Sequence, residues 1–236
     1  MNSPDRIVFL FDCDNTLLDN DCVQNDLRAH IECYLGVAAL DRYWQILERL
    51  RIDLGYVDYL GALQRYRVEA PTDMKLLQIT TYLLGYPFSA RLYPGALEVI
   101  SQYSKWGATV ILSDGDVVFQ PRKVQRSGLW AAVDGRVLIY IHKEQMLGDM
   151  QQRYPAQHYV MVDDKPRILT AMKSIMGEQL TTVFVRQGHY ALDTNRNAAY
   201  PAADVLVDHI HDLRRYDVAS LVGSSRALPT LHDRRQ

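Results

Sequence analysis

Short aliphatic runs that end in polar residues are the feature that most constrains the fold of this chain. Five such runs recur: Ile7–Phe11, Thr109–Leu112, Tyr159–Val162, Thr182–Val185 and Val205–Val207. Their apolar content is continuous, which is typical of strands buried on both faces of a parallel sheet. Between them lie helical patterns, of which Pro94–Trp106 and Pro166–Met176 begin at a proline and end before a glycine. The sequence therefore predicts an α/β fold with a Rossmann-like, doubly wound parallel sheet.

The stretch from Asp21 to Tyr86 departs from this alternation, because it contains no convincing strand. Helical periodicity runs through it instead, in Val23–Leu35, Leu40–Leu54, Tyr56–Tyr66 and Asp73–Leu84. A helical segment inserted after the first strand is expected to lie over the carboxyl ends of the strands, where ligands bind in this architecture. We predict an α/β core (residues 1–20 and 87–223), a helical insert (21–86) and a disordered tail (224–236).

Composition excludes several classes of protein. The 236 residues are 48% hydrophobic and 23% charged, which is a globular composition. The net charge of −2 and the shortness of the apolar runs argue against a nucleic-acid polymer or a membrane as partner. The amino terminus lacks a secretory signal pattern, and the three cysteines form no CxxC pair, so we expect a cytoplasmic location. The oligomeric state stays open between monomer and homodimer.

Carboxylates and a hydroxyl group follow the first three predicted strands. Asp12 and Asp14 follow the first, Ser113 and Asp114 the second, and Asp163–Asp164 the third. Because the carboxyl ends of parallel strands meet at one edge of a sheet, we expect these side chains to lie together. So many carboxylates repel one another unless a cation lies among them, and oxygen ligands favour a hard ion. The sequence therefore predicts a Mg²⁺ site at this edge.

Four short motifs stand in a fixed order along the chain: FDCDNTL, ILSDG, a lysine in IHKEQ, and MVDDK. They resemble the signature motifs of the haloacid dehalogenase-like (HAD) hydrolase superfamily, over nearly the whole chain. The insert between the first and second motifs is similar to the helical cap of the C1-capped subclass. The resemblance implies an enzyme, a Mg²⁺-dependent phosphatase that hydrolyses a small-molecule phosphate ester.

The resemblance also implies which residues carry out the reaction. Asp12 would be the nucleophile that forms an aspartyl-phosphate, and Asp14 would be the general acid and base. Lys143 would hold Asp12 and the phosphate as a positive charge. Crowding among the carboxylates would favour a proton on Asp14, as the acid role requires.

Binding roles follow from the same resemblance. Thr16 would orient the first motif and bond to Asp12, and Ser113 would bind a phosphoryl oxygen beside the backbone amides of Asp114 and Gly115. The metal ligands would be Asp12, the backbone carbonyl of Asp14, Asp164, and Asp163 either directly or through water.

Two features depart from the family pattern. Lys165-Pro166-Arg167 stands where many members carry a further acidic residue, so the metal would depend on Asp163 and Asp164 together. Asp116 makes the second motif more acidic, and we expect it to cap the following turn. Cys13, between the two key aspartates, is expected to be a small buried residue.

Several other functions were weighed against the phosphatase. A 2-haloacid dehalogenase shares the aspartate nucleophile but typically lacks the second aspartate, so Asp14 argues against it. A phosphonate hydrolase needs a lysine in the insert, and Asp21–Asp73 contains none. A sugar-phosphate mutase stays open, whereas a non-catalytic binding protein on this fold is disfavoured by the complete set of motifs.

The substrate itself is not determined by the sequence. Arg51, Tyr56 and Tyr59 surround Gly55 in a predicted turn between two helices of the insert, and they are candidates for substrate selection.

Overall fold

The computed structural model describes residues 5–224 of the chain. Its strands are β1 (Asp5–Phe11), β2 (Ala108–Asp114), β3 (Val137–Tyr140), β4 (Ala156–Asp163), β5 (Leu180–Val185) and β6 (Val205–Val207). Its α-helices are α1 (Asn20–Leu35), α2 (Val37–Leu54), α3 (Tyr59–Glu69), α4 (Leu76–Gly85), α5 (Ala96–Tyr103), α6 (Phe119–Ser127), α7 (Leu129–Ala132), α8 (Leu147–Arg153), α9 (Pro166–Met176), α10 (Gly188–Leu192), α11 (Thr194–Asn197) and α12 (Val218–Ser224).

The six strands form one parallel sheet in the order β3-β2-β1-β4-β5-β6. The chain moves outward from β1 to β3 on one side and from β4 to β6 on the other. This order confirms the predicted doubly wound parallel sheet, and it places the topological switch point between β1 and β4. A binding crevice is therefore expected at the carboxyl ends of these two strands.

Strand β1 is buried on both faces, which explains its continuous apolar run. Phe9 and Phe11 pack into one apolar layer, where the Tyr103 ring meets the Phe9 ring edge-on with centroids 4.8 Å apart. Val8 and Leu10 point into a second layer on the other face of the sheet. Because helices cover both faces, no alternation of polar and apolar residues is needed.

Four helices, α1–α4, follow β1, and we call them the insert; α5 then leads the chain back to the sheet at β2. The turn that leads into the insert has a left-handed residue, Asn15 (φ 60°). The Asn15 side-chain oxygen accepts hydrogen bonds from the backbone N–H groups of Asn20 and Asp21, at 3.0 and 3.2 Å. The first motif therefore caps the first helix of the insert. The division into an α/β core and a separate helical cap stays a prediction.

Some predicted boundaries need correction. The helix predicted over Pro94–Trp106 is limited to α5, because Gly95 adopts a left-handed conformation (φ 82°) immediately before it and turns follow Tyr103. Strand β3, a four-residue edge strand with the apolar sequence VLIY, is absent from the predicted set of strands. Apart from Ser224, which ends α12, the predicted tail lies outside the described residues.

Within residues 5–224, no helix has both the length and the apolar character needed to cross a membrane.

Candidate active site at the carboxyl ends of the strands

Three carboxylates meet where β1 and β4 end. Asp12 directly follows β1, Asp163 is the last residue of β4, and Asp164 comes next. One oxygen of each lies within 4.8 Å of the others, and all three side chains are buried. We call these three residues the acidic cluster. Its position follows from the parallel register that sets β1 beside β4.

A buried lysine joins two members of the acidic cluster. Lys143 Nζ lies 2.5 Å from Asp12 Oδ1 and 2.6 Å from Asp163 Oδ2, and it donates to the Leu112 carbonyl at 3.2 Å. Burial alone would lower the pKa of Lys143, but the carboxylates of Asp12 and Asp163 outweigh it and raise that pKa. The lysine is therefore held as a cation beside Asp12.

Of the other oxygens in the acidic cluster, Asp163 Oδ1 accepts a hydrogen bond from the Lys165 backbone N–H at 2.8 Å, and three have no hydrogen-bond partner in the described part of the chain. Asp12 Oδ2 and both oxygens of Asp164 are buried without a hydrogen bond from any described residue. Lys165 Nζ is 3.9 Å from Asp164 Oδ1. Burial raises the pKa of Asp164 well above its ordinary value, and it also raises the pKa of Asp163. Since unpaired buried carboxylates are costly, the cluster fits a bound cation, and its oxygen donors fit Mg²⁺.

Asp14 is held by a different cation. Lys123 Nζ, on a side chain that is 1% exposed, lies 2.8 Å from both Asp14 carboxylate oxygens. Asn20 at the start of α1 accepts a third hydrogen bond from Lys123 Nζ at 3.0 Å. Asp14 itself is 23% exposed and reaches a cavity. Asp14 therefore faces a lysine, where the sequence predicted crowding by other carboxylates.

Helix α6 supplies both neighbours of Asp14 that sequence analysis missed. Gln120 Nε2 donates to Ser113 Oγ at 3.1 Å and lies 3.4 Å from Asp14 Oδ2, and Lys123 is one turn further along the helix. Both polar residues lie on the buried face of α6, together with Phe119 and Val124. Polar residues on an otherwise apolar helix face are the one sequence signal that could have indicated them.

A cavity of about 240 Å³ opens from Asp14 between the insert and the strand ends. Arg51, Tyr56 and Tyr59, the candidates for substrate selection, all line this cavity. The turn that carries them packs on the core at Gly55, where a Cβ atom would lie 2.7 Å from the His142 ring. The cavity is therefore formed jointly by the insert and by residues that follow the strands.

The sequence matches the family model of the haloacid dehalogenase-like hydrolases over residues 8–176. The chain belongs to this family. A crystal structure assigned to the same hydrolases, from Burkholderia xenovorans LB400, is 61% identical to this HAD-like hydrolase. The match covers 91% of this chain and 100% of that one, with a TM-score of 0.87. A search of curated proteins finds no match.

More distant structures share the fold of this HAD-like hydrolase. A haloacid dehalogenase-like hydrolase from Xanthomonas campestris is 17% identical, with 96% of each chain covered and a TM-score of 0.64. The L-2-haloacid dehalogenase from Xanthobacter autotrophicus, with chloropropionic acid covalently bound, is 19% identical, with coverage of 88% and 96% and a TM-score of 0.57. These likenesses show the fold alone.

The structure does not form the expected bond between Thr16 and Asp12. The Thr16 hydroxyl is buried and has no hydrogen-bond partner within the described part of the chain. The Thr16 carbonyl instead accepts a hydrogen bond from Gln187 Nε2 at 3.2 Å. In this HAD-like hydrolase, Thr16 therefore links the first motif to the loop after β5.

The second motif agrees only in part with expectation. Ser113 is buried beside Gln120, and Asp114 Oδ1 accepts a hydrogen bond from the backbone N–H of Lys143 at 2.7 Å. The Gly115 N–H donates to the Tyr140 carbonyl at 2.9 Å. This amide is therefore already used by β3, the strand that sequence analysis missed, and it is not a free donor for phosphate.

Two lesser expectations about the motifs agree with the structure. Asp116 Oδ1 accepts hydrogen bonds from the backbone N–H groups of Val118 and Phe119, at 2.8 and 2.6 Å, and so caps the start of α6. Cys13 is fully buried, and burial raises the pKa of its thiol well above the ordinary value. Cys13 is therefore a packing residue.

Proposed function

We propose that this HAD-like hydrolase is a Mg²⁺-dependent phosphatase that cleaves a small-molecule phosphomonoester through an aspartyl-phosphate. The observation that carries the proposal is the set of unpartnered oxygens in the acidic cluster. They lie beside Asp12, whose other oxygen is held by Lys143. A nucleophilic carboxylate between a cation and a set of unpartnered oxygen donors suits attack on an anionic phosphate.

The metal would be held by Asp12, Asp163 and Asp164, together with the backbone carbonyl of Asp14. When bound, Mg²⁺ supplies positive charge that offsets the cluster and an incoming phosphoryl group. Asp163 and Asp164 serve jointly, because no other acid follows them in the motif.

In the first step, a carboxylate oxygen of Asp12 attacks phosphorus and the bond to the ester oxygen breaks. Asp14 gives its proton to that departing oxygen, which leaves as an alcohol. Lys143 stays beside Asp12 and offsets negative charge as the phosphoryl group is transferred.

In the second step, water attacks the phosphorus of the aspartyl-phosphate. Asp14 takes a proton from this water, the bond between phosphorus and Asp12 breaks, and inorganic phosphate leaves. Lys123 Nζ donates to both oxygens of Asp14, which keeps this carboxylate in the same position for proton transfer in both steps.

A 2-haloacid dehalogenase is the second candidate, because structures with that activity share the fold. Displacing a halide needs no proton on the leaving group and no metal. Asp14 at the cavity and the unpartnered cluster therefore favour the phosphatase over the dehalogenase. A sugar-phosphate mutase would use the same residues and would transfer phosphate between sugar positions without releasing it.

The test compares phosphate release from p-nitrophenyl phosphate and a panel of metabolite phosphates, in Mg²⁺ and in EDTA. Wild type is expected to release phosphate only in Mg²⁺, and Asp12→Asn is expected to lose about 10⁴-fold or more in rate. The matched control is Asp116→Asn, since Asp116 caps the start of α6 and asparagine caps helices about as well as aspartate. Chloride release from 2-chloropropionate in EDTA, without phosphate release from any ester, would establish the dehalogenase instead.

A further inference from the structure

Three cations face the cavity beyond the residues assigned to phosphate transfer. Arg51 extends from the last turn of α2 in the insert, and Lys165 and Arg167 stand where α9 begins. We infer that this cavity binds a second anionic group, a carboxylate or a second phosphate, on the leaving group of the substrate. The inference deepens the proposed function and rests on it.

Arg51 keeps donors for such a group. Its Nε and Nη2 atoms both approach one oxygen of Glu48, at 2.9 and 2.8 Å, and the side chain is 43% exposed. A guanidinium carries five N–H donors in a planar fork. The remaining donors have no hydrogen-bond partner among residues 5–224, so Arg51 can still make the paired contacts that suit an oxyanion.

Arg167 is anchored in a similar way from the opposite side. Its Nη1 atom donates to Glu144 Oε1 at 2.7 Å, and Glu144 is buried. This contact fixes the guanidinium and uses one of its five donors. One arginine of the insert and one of the core thus border the same cavity, each held by a glutamate that does not line it.

Lys165 is the third cation and has no hydrogen bond from Nζ within the described residues. Its side chain is 29% exposed, and Nζ lies 3.9 Å from Asp164 Oδ1 and 5.2 Å from the centre of the Tyr190 ring, which also lines the cavity. A lysine held over an aromatic face in this way presents its charge to the cavity.

Each of these cations pairs with a carboxylate, but the three partners, Glu48, Glu144 and Asp164, do not line the cavity. Asp14 is paired with Lys123, and Asp114 accepts a hydrogen bond from the Lys143 backbone. The three cationic groups therefore line the space where the leaving group would lie, while their carboxylate partners stand outside it. The volume of about 240 Å³ is below the roughly 300–1,000 Å³ of typical pockets for drug-sized ligands, so the leaving group is compact.

The test measures binding of three phosphonates that cannot be hydrolysed: butylphosphonate, 3-carboxypropylphosphonate and propane-1,3-bisphosphonate. Calorimetry in Mg²⁺ gives Kd for wild type and for Arg51→Met. The matched control is Arg49→Met, because Arg49 is on the same helix, pairs with Asp53 at 3.2 Å and does not line the cavity. Hydrolysis of the corresponding phosphate esters is followed in parallel.

Wild type is expected to bind at least one of the two probes that carry a second anionic group about tenfold more tightly than butylphosphonate. One charge-assisted contact allows a preference of this size. Arg51→Met is expected to remove most of that preference, and Arg49→Met to keep it. Of the two probes with a second anionic group, the one that binds more tightly identifies that group on the substrate as a carboxylate or a phosphate.

The two proposals fail in distinguishable ways. Tighter binding of the probes with a second anionic group, without hydrolysis of any ester, would keep the binding inference and overturn the phosphatase. Ester hydrolysis with equal binding of all three probes, or no binding of any probe, would overturn the inference. A preference for the probes with a second anionic group that Arg51→Met and Arg49→Met reduce equally would also overturn the inference.

Discussion

The site has two halves that use buried lysines in opposite ways. The strand-end half consists of Asp12, Lys143, Asp163 and Asp164, and the helix half consists of Asp14, Asn20, Gln120 and Lys123. In the strand-end half, one lysine is shared between two carboxylates and three carboxylate oxygens lack a partner in the described structure. In the helix half, one lysine serves a single carboxylate and is itself fixed by Asn20.

Because of this difference, the strand-end half is suited to binding a cation, whereas the helix half is suited to holding one carboxylate in place. The strand-end half holds more negative than positive charge in a fully buried place, so it suits a metal ion. The helix half is balanced, and its carboxylate opens to the cavity where a leaving group would lie. Variants in the two halves are therefore expected to differ in stability, metal binding and pH dependence.

The largest effect is expected from removing the lysine of the strand-end half. Lys143→Met leaves Asp12 and Asp163 buried without a cation and should cost about 3–5 kcal/mol of unfolding free energy in EDTA. Lys123→Met should cost roughly half of that, because Asp14 is partly exposed to the cavity. Urea unfolding of both variants measures the difference, and equal losses would remove the contrast between the halves.

The second effect concerns metal binding to the strand-end half. Mg²⁺ at about 100 times its Kd should stabilise wild type by about 2.7 kcal/mol, seen as a rise in Tm. Asp164→Asn should abolish this rise, whereas Asp14→Asn should keep it, because only the backbone of Asp14 is proposed to reach the metal. A rise that survives Asp164→Asn would disprove the assignment of the acidic cluster as the metal site.

The third effect is the pH dependence of the metal-free protein. Burial raises the pKa of Asp164 in the folded state above the unfolded value of about 3.9, so the folded state takes up a proton first as pH falls. The unfolding free energy should therefore rise as pH is lowered from neutral toward the unfolded value of about 3.9, with a slope from this group of at most about 1.4 kcal/mol per pH unit.

Asp164→Asn should be more stable than wild type in EDTA at the upper end of that range, and the advantage should shrink as pH falls. Tm measured across the range, with and without EDTA, provides the comparison. An advantage that grows toward low pH would contradict the raised pKa of Asp164.

The smallest effect is expected from the amide of the helix half. Gln120→Met removes the hydrogen bond to Ser113 and the long contact with Asp14, and should cost about 1 kcal/mol of unfolding free energy. Its kcat should fall less than that of Lys123→Met, because Lys123 still holds Asp14. A larger loss of kcat in Gln120→Met would move the positioning role from the lysine to the amide.

Sequence patterns were sufficient for most of the local elements. The parallel sheet was predicted from continuous apolar runs, and α9 from a proline and a glycine at its ends. The same reasoning missed β3, although its sequence, VLIY, is a continuous apolar run like those of the predicted strands. Because β3 was missed, the use of the Gly115 amide by Tyr140 could not be anticipated.

Family resemblance added Lys143, which lies far from Asp12 in sequence, but it did not include Lys123. The contact between Lys123 and Asp14 joins residues 109 positions apart and depends on how α6 packs under the insert. The same limit applies to Thr16, whose buried hydroxyl finds no hydrogen-bond partner in the described structure.

The sequence by itself determined five of the six strands in residues 5–224, their parallel pairing and the gathering of Asp12, Asp163 and Asp164, because strand ends in such a sheet meet at one edge. The tertiary structure alone decided which lysine pairs with which carboxylate, which oxygens stay without a partner and which cations face the cavity. Those outcomes depend on distances and burial between elements far apart in the chain, and no local pattern of residues specifies them.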